Sequence, residues 1–489
     1  MSGSRVGGEV IECEVLIVGS GAGGATTATV LSEAGFDVLI AEEGEWVEQG
    51  SVVPFSLAQM DAQYRSGGIT VALGLPSIAY TEGRCAGGGT EVNSGLYRRP
   101  PGEVVDRWRS QYQIRDLDPT ELDDIADEVE KELSVGYVPG ETSEPSRMLR
   151  DGAERLGWQN SEIPRWMTYP EGTVGWRGER QSMTRTYLPR AAAAGARLTT
   201  GLTIRRLIVN NGRAVEAVAS HRLANGTERA TTIRFRQVIV CGGAIHTPAL
   251  LQRSGLRQNI GRSLAVHPTV KLAARFDHEL NVPDDVPVHQ VKEFAPDLSF
   301  GGSASNPGLV ALSLSDNWRD FAPAVEAWRS ISVYYAAITS EGRGTVQAVP
   351  GMRDPIVTYR LTRRDKDLLR SGLSRLAMLM LAAGAQEVYP SFRHAPIVRG
   401  ALDLATMQER FAASKASVMT VHLCSTVPLG EDRRRCGADS FGRVHGCANV
   451  WVNDASLLPD APGVNPQGSV MALAIRNARH FARTERPRG

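Results

Sequence analysis

Three glycines near the N-terminus have the spacing of a dinucleotide-binding turn. Gly19, Gly21 and Gly24 form the pattern G-x-G-x-x-G directly after the apolar run Glu14–Val18. In such a turn the first glycine permits the tight bend, the second lets the backbone approach a pyrophosphate, and the third permits close packing of helix on strand. The phosphates then lie at the positive N-terminal end of the following helix. The spacing therefore predicts a nucleotide cofactor, and it fits FAD and NAD equally.

An acidic residue at a suitable distance supports a dinucleotide site. The sequence predicts a helix over Ala25–Ala34 and a second strand over Val38–Ala41, which ends at Glu42, 18 residues after Gly24. A carboxylate at that position accepts hydrogen bonds from the ribose hydroxyls of the adenosine half. We interpret its neighbour Glu43 as a surface carboxylate.

A second glycine-rich run distinguishes between the two cofactors. Residues 83–95 read Gly-Arg-Cys-Ala-Gly-Gly-Gly-Thr-Glu-Val-Asn-Ser-Gly, and consecutive glycines let main-chain N–H groups face a pyrophosphate without Cβ clashes. This run resembles the flavin loop of the glucose–methanol–choline (GMC) oxidoreductases, particularly the cholesterol-oxidase branch. Residues 243–256 resemble the second signature of that family, with Arg257 where the family usually has glycine. The resemblance implies FAD, with contacts from Gly87, Gly88, Thr90 and Asn93.

Three short motifs near the C-terminus extend the resemblance and imply a catalytic pair. Residues 421–426 resemble the family's His-x-x-Gly-Thr stretch, with Ser425 in place of glycine, and residues 453–459 resemble its V-x-D-A-S…P element. Residues 463–468 contain the second catalytic position, which is histidine or asparagine in the family. The resemblance implies that His422 and Asn465 are catalytic and that FAD is contacted by Asp454, Ala455, Asn465, Pro466 and Gln467.

The roles of this pair follow from the chemistry of alcohol oxidation. An alkoxide is a far better hydride donor than an alcohol, so hydride transfer to flavin N5 requires a base at the hydroxyl group. His422 is the expected base, and Asn465, 43 residues later, is expected to hold the same oxygen. Among the other histidines, we expect His267 to be structural, His246 to be packed or at the surface, and His445 to be exposed in a turn.

The mode of flavin attachment and two alternative functions also follow from the resemblance. Some relatives attach FAD through a histidine just before the asparagine of the flavin loop, and this chain has Val92 there. We therefore expect non-covalent FAD, a small-molecule alcohol substrate, and O2 or another electron acceptor. The family includes non-redox members, so a lyase of the hydroxynitrile-lyase type is the second interpretation. An NAD-dependent dehydrogenase is the third, and a yellow purified protein would exclude it.

The order of the predicted elements indicates an α/β protein with two domains. A Rossmann-like FAD-binding domain is expected from residues 10–100, 195–269 and 420–485. An inserted substrate-binding domain on a mixed or antiparallel sheet is expected from residues 101–194 and 270–419. Further predicted elements are helices over Leu117–Leu133, Asp365–Ala383 and Ser469–His480, and strands over Leu202–Asn210, Val215–Ser220, Val238–Cys241 and Val450–Val452. The positive end of the last helix is expected to face the flavin.

Composition restricts the classes of partner. The formal net charge is zero, which argues against a nucleic-acid surface and against a polybasic membrane patch. The six cysteines show no metal-ligand spacing, so no metal is expected, and they fit reduced thiols, with Cys436 and Cys447 open to being close across a turn. We find neither a signal peptide nor a spanning segment, so a cytoplasmic location is expected. The oligomeric state is left open.

The sequence says least about the substrate. The inserted segments line the pocket in this family. The stretch Asp277–Asp297 is rich in carboxylates, which suits either a cationic substrate or a solvated loop face. The specific hypothesis is a hydroxyl on a sugar-like or antibiotic-type natural product, such as the primary alcohol of an aminoglycoside. Lysine is rare, at positions 131, 271, 292, 366 and 415, which we attribute to genomic base composition.

Overall fold

A five-stranded parallel sheet carries the N-terminal glycine turn. Across the sheet its strands are Arg197–Thr199, Val38–Ala41, Val15–Val18, Gln237–Val240 and Val450–Val452. The computed structural model to which it belongs describes residues 9–170, 178–282 and 285–487. The inner strands are almost entirely apolar and buried, as expected when helices cover both faces of a parallel sheet.

Helices that pack on this sheet begin close to the predicted cofactor site. The helix Ala22–Glu33 packs against the C-terminal helix Gln467–Thr484, and the helix Gly243–Arg253 follows an inner strand. Both the first and the last helix begin earlier than the sequence predicted. The first already includes the last glycines of the turn, and the last begins directly after Pro466, because the restricted φ of proline suits a helix start.

The second large sheet of the protein is mixed and has nine strands. Along its path the strands are Thr70–Ala72, Ile78–Tyr80, Val418–Thr420, Thr269–Arg275, Ile331–Ile338, Leu298–Gly302, His289–Val291 and Asn160–Glu162, with Glu387–Pro390 paired to Thr269–Arg275. The long helix Arg363–Ala382 packs against four of these strands: Thr269–Arg275, Ile331–Ile338, Leu298–Gly302 and Glu387–Pro390. Thr362 and Asp365 form a capping box at its start, so the helix begins two residues before the predicted Asp365. The opposite face of the sheet is left for the cavity described below.

The remaining elements surround these two sheets. A four-stranded sheet contains Glu9–Glu12, Glu228–Arg234, Arg213–Arg222 and Leu202–Asn210. The other helices are Leu57–Gln63, Gly89–Val92, Gly102–Gln111, Pro119–Glu132, Glu144–Arg155, Tyr187–Ala193, Pro307–Leu314, Trp318–Phe321 and Ala401–Arg410. The other strands are Val135–Gly136, Arg165–Thr168, Glu179–Arg180, Ala265–Val266, Arg343–Gln347, Ile356–Arg360 and Leu423–Cys424. The predicted α/β class, with a Rossmann-like part and a second mixed sheet, is confirmed.

Two groups of elements lie across the domain boundaries expected from the sequence. The strands Thr70–Ala72 and Ile78–Tyr80, from the first FAD segment, join the nine-stranded sheet. The helices Gly102–Gln111 and Pro119–Glu132, from the first substrate segment, pack into the core of the parallel sheet. The division into two domains therefore stays a proposal. No helix in the described part of the chain combines the length and apolar character required to cross a membrane.

The tight packing of the glycine turn generates a stability prediction. A Cβ atom at Gly24 would lie 2.0 Å from the backbone oxygen of Gly19, whereas one at Gly102 would meet nothing within 4 Å. Gly24→Ala should therefore destabilise the protein by on the order of 1–3 kcal/mol, and Gly102→Ala should leave stability unchanged or slightly improved. Denaturant unfolding of both variants beside the wild type measures this. Equal stability of the two variants would contradict the described packing.

Candidate active site

A cavity of about 1530 Å³ extends from the glycine turn to the nine-stranded sheet. At one end it is lined by Gly19 and Gly21, and along its side by Gly88 and Asn93. The predicted catalytic residues line it as well, together with the face of the sheet that the long helix leaves uncovered. The cavity is larger than the roughly 300–1,000 Å³ of an ordinary small-molecule pocket, which fits a site for a dinucleotide and a substrate together.

Backbone segments from distant parts of the chain meet at the glycine end of the cavity. A Cβ atom at Gly19 would lie 2.4 Å from the carbonyl oxygen of Cys241, and one at Gly23 would lie 2.0 Å from that of Asn453. A Cβ atom at Gly88 would lie 3.1 Å from the Cα of Gly21. Only glycine permits these approaches. They leave a cradle of bare backbone of the kind that a pyrophosphate requires.

The predicted ribose-binding carboxylate is held by this cradle. Glu42 is buried, and its Oε2 accepts hydrogen bonds from the N–H and the hydroxyl of Ser20 at 3.0 and 2.7 Å. The Ser20 hydroxyl in turn accepts from the N–H of Gly87. Burial raises the pKa of Glu42, against the hydrogen bonds from Gly44 and Ser20 that lower it. Ser20, which the sequence did not single out, therefore joins the glycine turn to the flavin-type loop.

Asp454 joins the third part of the chain to the same site. One of its carboxylate oxygens accepts from the N–H of Gly243 and from the hydroxyl of Thr247, and the other accepts from the N–H of Ser456. Burial raises its pKa, and these hydrogen bonds oppose that effect. Asp454 and Ala455 both line the cavity. Asp454 thus fixes the start of the helix Gly243–Arg253 against the C-terminal loop.

Two helix N-termini open on the cavity without a side-chain cap. The caps of Ala22–Glu33 and Gln467–Thr484 are Gly21 and Pro466, and neither accepts a hydrogen bond with its side chain. The first N–H groups of a helix have no partner within the helix and carry the positive end of its dipole. These two ends therefore fit the negative groups of a flavin dinucleotide.

Not every residue of the flavin-type loop turns its side chain to the cavity. The Thr90 hydroxyl donates to the carbonyl of Gly87 and accepts from Met183, so it stabilises the loop itself. The Asn93 amide donates to Oε1 of Gln467 at 2.7 Å and accepts from Gly95 at 3.0 Å. Asn93 therefore joins the loop to the start of the C-terminal helix.

The structure brings His422 and Asn465 together and adds His267 to the pair. Nδ2 of Asn465 lies 3.5 Å from Nε2 of His422, and the Nδ1 atoms of His422 and His267 lie 2.9 Å apart. The N–H of Gly463 donates to Nε2 of His267 at 3.0 Å. We expected His267 to be bonded to the backbone, and it is, but its other nitrogen also holds the ring of His422.

The hydrogen bonds of this cluster support two neutral tautomers. Because Gly463 donates to Nε2 of His267, that ring carries its proton on Nδ1 and donates it to His422, which then has its own proton on Nε2. In the opposite arrangement Nε2 of His422 accepts from the N–H group of Asn465. That arrangement requires His267 to move its proton to Nε2 and to lose the hydrogen bond from Gly463. In the first tautomer His422 is a hydrogen-bond donor to a substrate oxygen, and in the second it is a base.

Burial keeps both imidazoles neutral. Desolvation, and after it the nearby Lys292 ammonium, lowers the pKa of His422 to about 4. Desolvation, then His422, then Lys292 lower the pKa of His267 well below its usual range. Both rings are therefore uncharged at neutral pH, which is the state that a general base requires.

The structure settles the expectations for the other candidates differently. His246 lies 3.6 Å from Glu82 in an ion-pair geometry and lines the cavity. The prediction that His445 is exposed is wrong. The side chain is buried, and its Nε2 lies 3.2 Å from the carbonyl oxygen of Gly430. Cys436 and Cys447 are buried free thiols. No cluster with metal-ligand geometry occurs in the described ranges.

The described carboxylates of the Asp277–Asp297 stretch lie outside the cavity lining. Asp277, Glu279 and Glu293 are exposed, Asp297 pairs with Arg364, and buried Asp285 accepts from Ser143. Asp284 lies outside the described residues. Lysines line the substrate side instead, namely Lys271, Lys292 and, at the rim, Lys415. The rarity of lysine in the sequence is the signal that could have identified these three lysines.

Comparison with known proteins identifies the family. Residues 60–269 and residues 340–474 match the N-terminal and C-terminal family models described as GMC oxidoreductase. The chain belongs to the GMC oxidoreductase family. It is therefore an FAD-dependent oxidoreductase that acts on alcohol groups.

Relatives of this GMC oxidoreductase span nearly the whole chain. An uncharacterized GMC-type oxidoreductase (y4nJ) of Sinorhizobium fredii is 39% identical over 96% of the chain and 94% of its own length. A 6'''-hydroxyparomomycin C oxidase of Streptomyces lividus is 27% identical over 96% of the chain and 91% of its own length. The crystal structure of pyridoxine 4-oxidase from Mesorbium loti superposes with a TM-score of 0.73, at 20% identity, covering 96% and 99% of the two chains. That last likeness shows the fold.

The lowered pKa of His422 generates a prediction about pH. Protonation of the base abolishes its function, so the low-pH limb of kcat/KM reports its pKa in the free enzyme. With a neutral alcohol, we expect kcat/KM to stay level from about pH 7.5 to about pH 5 and to fall only toward the His422 pKa of about 4. Steady-state kinetics with a buffer series measure this. A descending limb near 6.5, the ordinary value for histidine, would show that His422 is not held neutral by burial.

Proposed function

We propose that this GMC oxidoreductase is an alcohol oxidase or dehydrogenase that converts a hydroxyl group to an aldehyde or ketone, with O2 or another acceptor reoxidising the cofactor. The observation that carries the proposal is the meeting of His422 and Asn465 at the cavity, beside an uncapped helix N-terminus. When bound, FAD supplies the hydride acceptor, flavin N5. The protein supplies the base, the orientation and the electrostatic environment.

His422 takes the hydroxyl proton in this proposal. The base-competent tautomer is the one in which Nδ1–H of His422 donates to Nδ1 of His267 and Nε2 faces the substrate oxygen. It requires that His267 carry its own proton on Nε2 and give up the hydrogen bond from Gly463. Asn465 donates an N–H to the same oxygen and keeps the reacting carbon oriented. The positive end of the helix Gln467–Thr484 favours negative charge at this end of the cavity.

FAD is held without a covalent bond in this proposal, because Val92 offers no nucleophile at the position where some relatives carry a histidine. The backbone N–H groups of the glycine cradle bind the pyrophosphate, and the Glu42 carboxylate accepts hydrogen bonds from the ribose hydroxyls. The residues proposed to contact the cofactor are Gly19, Gly21, Gly24, Glu42, Gly87, Gly88, Thr90, Asn93, Asp454, Ala455, Asn465, Pro466 and Gln467. A cytoplasmic location is part of the proposal, and the free thiols of the six cysteines support it.

The finer substrate proposal is a sugar-like or natural-product alcohol. Similarity to an oxidase named for hydroxyparomomycin C supports the variant in which the substrate is the primary alcohol of an aminoglycoside. The cationic groups on the substrate side of the cavity oppose that variant, because an aminoglycoside is itself a polycation. A lyase, the second candidate, would leave the flavin oxidised in the presence of its substrate.

Substitution of the catalytic pair tests the proposal. His422→Ala removes the base, so anaerobic flavin reduction by an alcohol should slow by roughly 10²–10⁴-fold. Asn465→Asp should also slow it, because it adds a negative charge where the flavin must become anionic, in a site with little screening. His278→Ala, at an exposed histidine, is the matched control.

Rapid-mixing absorbance under anaerobic conditions measures these rates, and acid precipitation measures flavin content. The wild type and every variant should release all of their flavin into the supernatant, and in equal amounts. A wild-type rate of reduction in either active-site variant would remove His422 or Asn465 from the mechanism. Flavin that remains in the pellet would contradict non-covalent binding.

A further inference from the structure

The substrate side of the cavity is unusually rich in lysine for this chain. The sequence contains five lysines, and Lys271, Lys292 and Lys415 line the cavity. Lys415 and Arg393 are exposed at the rim, whereas Lys271 and Lys292 lie deeper, on the sheet floor. A distribution set by base composition alone would not concentrate lysine at one site. We therefore consider what these two deeper cations bind.

Strand register places both lysines on the floor of the cavity. Lys271 pairs across the sheet with Tyr335, which pairs with Gly301, which pairs with Gln290. In the adjacent row toward the catalytic end, Thr269 pairs with Ala337 and Ala337 with Ser299, and Lys292 directly follows the strand His289–Val291. Alternate residues of a strand share one face of the sheet. The residues between the two lysines are mostly small, so the floor is open for a ligand.

Neither ammonium group has an anionic partner. In the described ranges, no hydrogen bond or ion pair joins the side chain of Lys271 or Lys292 to a carboxylate. The charge that acts on Lys292 is another cation, because burial and then the Arg98 guanidinium lower the pKa of Lys292. Burial lowers the pKa of both ammonium groups to about 8, so both remain mostly protonated at neutral pH. An unpaired, partly desolvated charge is costly, and it persists in proteins mainly where a ligand or a reaction uses it.

A hydroxyl and an amide complete a polar floor beside Lys271. The Gln290 amide donates to the Tyr335 hydroxyl at 3.2 Å, so the proton of that hydroxyl is free for an acceptor in the cavity. A Cβ atom at Gly301 would lie 2.4 Å from the Tyr335 oxygen, so glycine is what lets the ring lie across the strand. The floor thus presents hydrogen-bond donors and positive charge on one face of the sheet, which suits an anionic oxygen group.

The carboxylates of the cavity are committed elsewhere. Most of them lie at the nucleotide end, where they are hydrogen-bonded or paired: Glu42 with Ser20, Glu43 with Arg65, Glu82 with His246, Asp354 with Arg65 and Asp454 with Thr247. Asp316 and Asp354 are the acidic residues of the lining that belong to the substrate segments in the described part of the chain, and Asp354 is the one that pairs with Arg65. The substrate side therefore has an excess of positive charge, which attracts anions into a narrow cavity.

We propose that the substrate of this enzyme carries an anionic oxygen group, a carboxylate or a phosphate, which lies over the sheet floor between Lys271 and Lys292, where these two lysines supply the positive charge, while its hydroxyl reaches His422 and Asn465. This inference rests on the proposed alcohol oxidase function. It names the substrate class, an acidic alcohol. Lys271 lies on the strand Thr269–Arg275, four residues after His267, which is at most roughly 13 Å of extended chain. Lys292 acts on His422 itself, because it lowers the pKa of that imidazole.

Matched series of alcohols test this inference with the FAD-loaded enzyme. The probes are ω-hydroxy carboxylates of graded chain length, ω-hydroxyalkyl phosphates, the corresponding α,ω-diols, and ω-amino alcohols. Anaerobic flavin reduction gives kcat/KM for each. At the best chain length, we expect kcat/KM for an anionic probe to exceed that for the diol by about 10-fold or more, since hydrogen bonds to charged groups are the strong ones. Comparison of the two acidic series identifies the group.

Lys271→Met and Lys292→Met separate charge recognition from catalysis. Each variant should lower kcat/KM for the anionic probe by about 10–100-fold, mainly by raising KM. Its kcat/KM for the diol should stay within about 3-fold of the wild-type value. Lys131→Met, at an exposed lysine distant in sequence and outside the cavity lining, is the control for the same change of side chain. Flavin content and thermal unfolding of each variant show that the fold is kept.

The outcomes for the substrate class and for the proposed function are distinguishable. Three results would overturn the proposal of an acidic substrate and leave the oxidation of alcohols intact. Diols could reduce the flavin as fast as the acids do, or amino alcohols could be preferred. Alternatively, both lysine variants could lose kcat/KM equally for the acid and for the diol. Failure of every alcohol to reduce the flavin would overturn the oxidase function itself.

Discussion

The close approach of four backbone segments at the glycine turn is the constraint on which the rest of the site depends. Gly19 lies against Cys241 and Gly23 against Asn453, too closely for a Cβ atom, and Gly88 lies tightly against Gly21 with a positive φ that favours glycine. These contacts bring residues more than 400 positions apart to one end of a parallel sheet. Asp454 then secures the junction through Gly243, Thr247 and Ser456. Asn465, the proposed partner of His422, and the C-terminal helix follow this junction in the chain, so their positions are set by it.

Several groups of the cavity favour negative charge. Two uncapped helix ends and the unpaired lysines attract anions, whether the charge belongs to a pyrophosphate, a reduced flavin or a substrate. Lys292 also lowers the pKa of His422. An anionic group paired with Lys292 would offset that cation and raise the pKa of His422 toward its usual range. Binding of an acidic substrate would therefore strengthen the base that acts on it.

Local patterns in the sequence were sufficient to predict part of this site. The glycine turn, Glu42 and the strand before it are close in sequence, and their geometry follows from backbone sterics alone. His422 and Asn465 were found through motifs, and Ser425, which replaces a glycine of the motif, has a φ of +69° stabilised by its bond to the Pro459 carbonyl. That φ explains why glycine is usual at this position.

Contacts across the fold could not be read from the sequence in the same way. The contact between His267 and His422 spans 155 residues, and it depends on the pairing of strands that no local pattern specifies. Lys271 and Lys292 face the cavity only because of the register of a nine-stranded sheet. The prediction for His445 was wrong because a Val-His-Gly turn is typical of an exposed loop. In the fold the imidazole is buried, and its Nε2 contacts the Gly430 carbonyl of a separate loop.

Anaerobic reduction of the wild-type enzyme by an alcohol deuterated at its hydroxyl-bearing carbon tests hydride transfer most directly. If that carbon gives its hydride to the flavin while His422 takes the proton, the loss of the oxidised flavin absorption should be slower with the deuterated alcohol than with the unlabelled one. Equal rates for the two alcohols in a single-turnover measurement, or a flavin that stays oxidised with every alcohol offered, would contradict hydride transfer at His422 and Asn465.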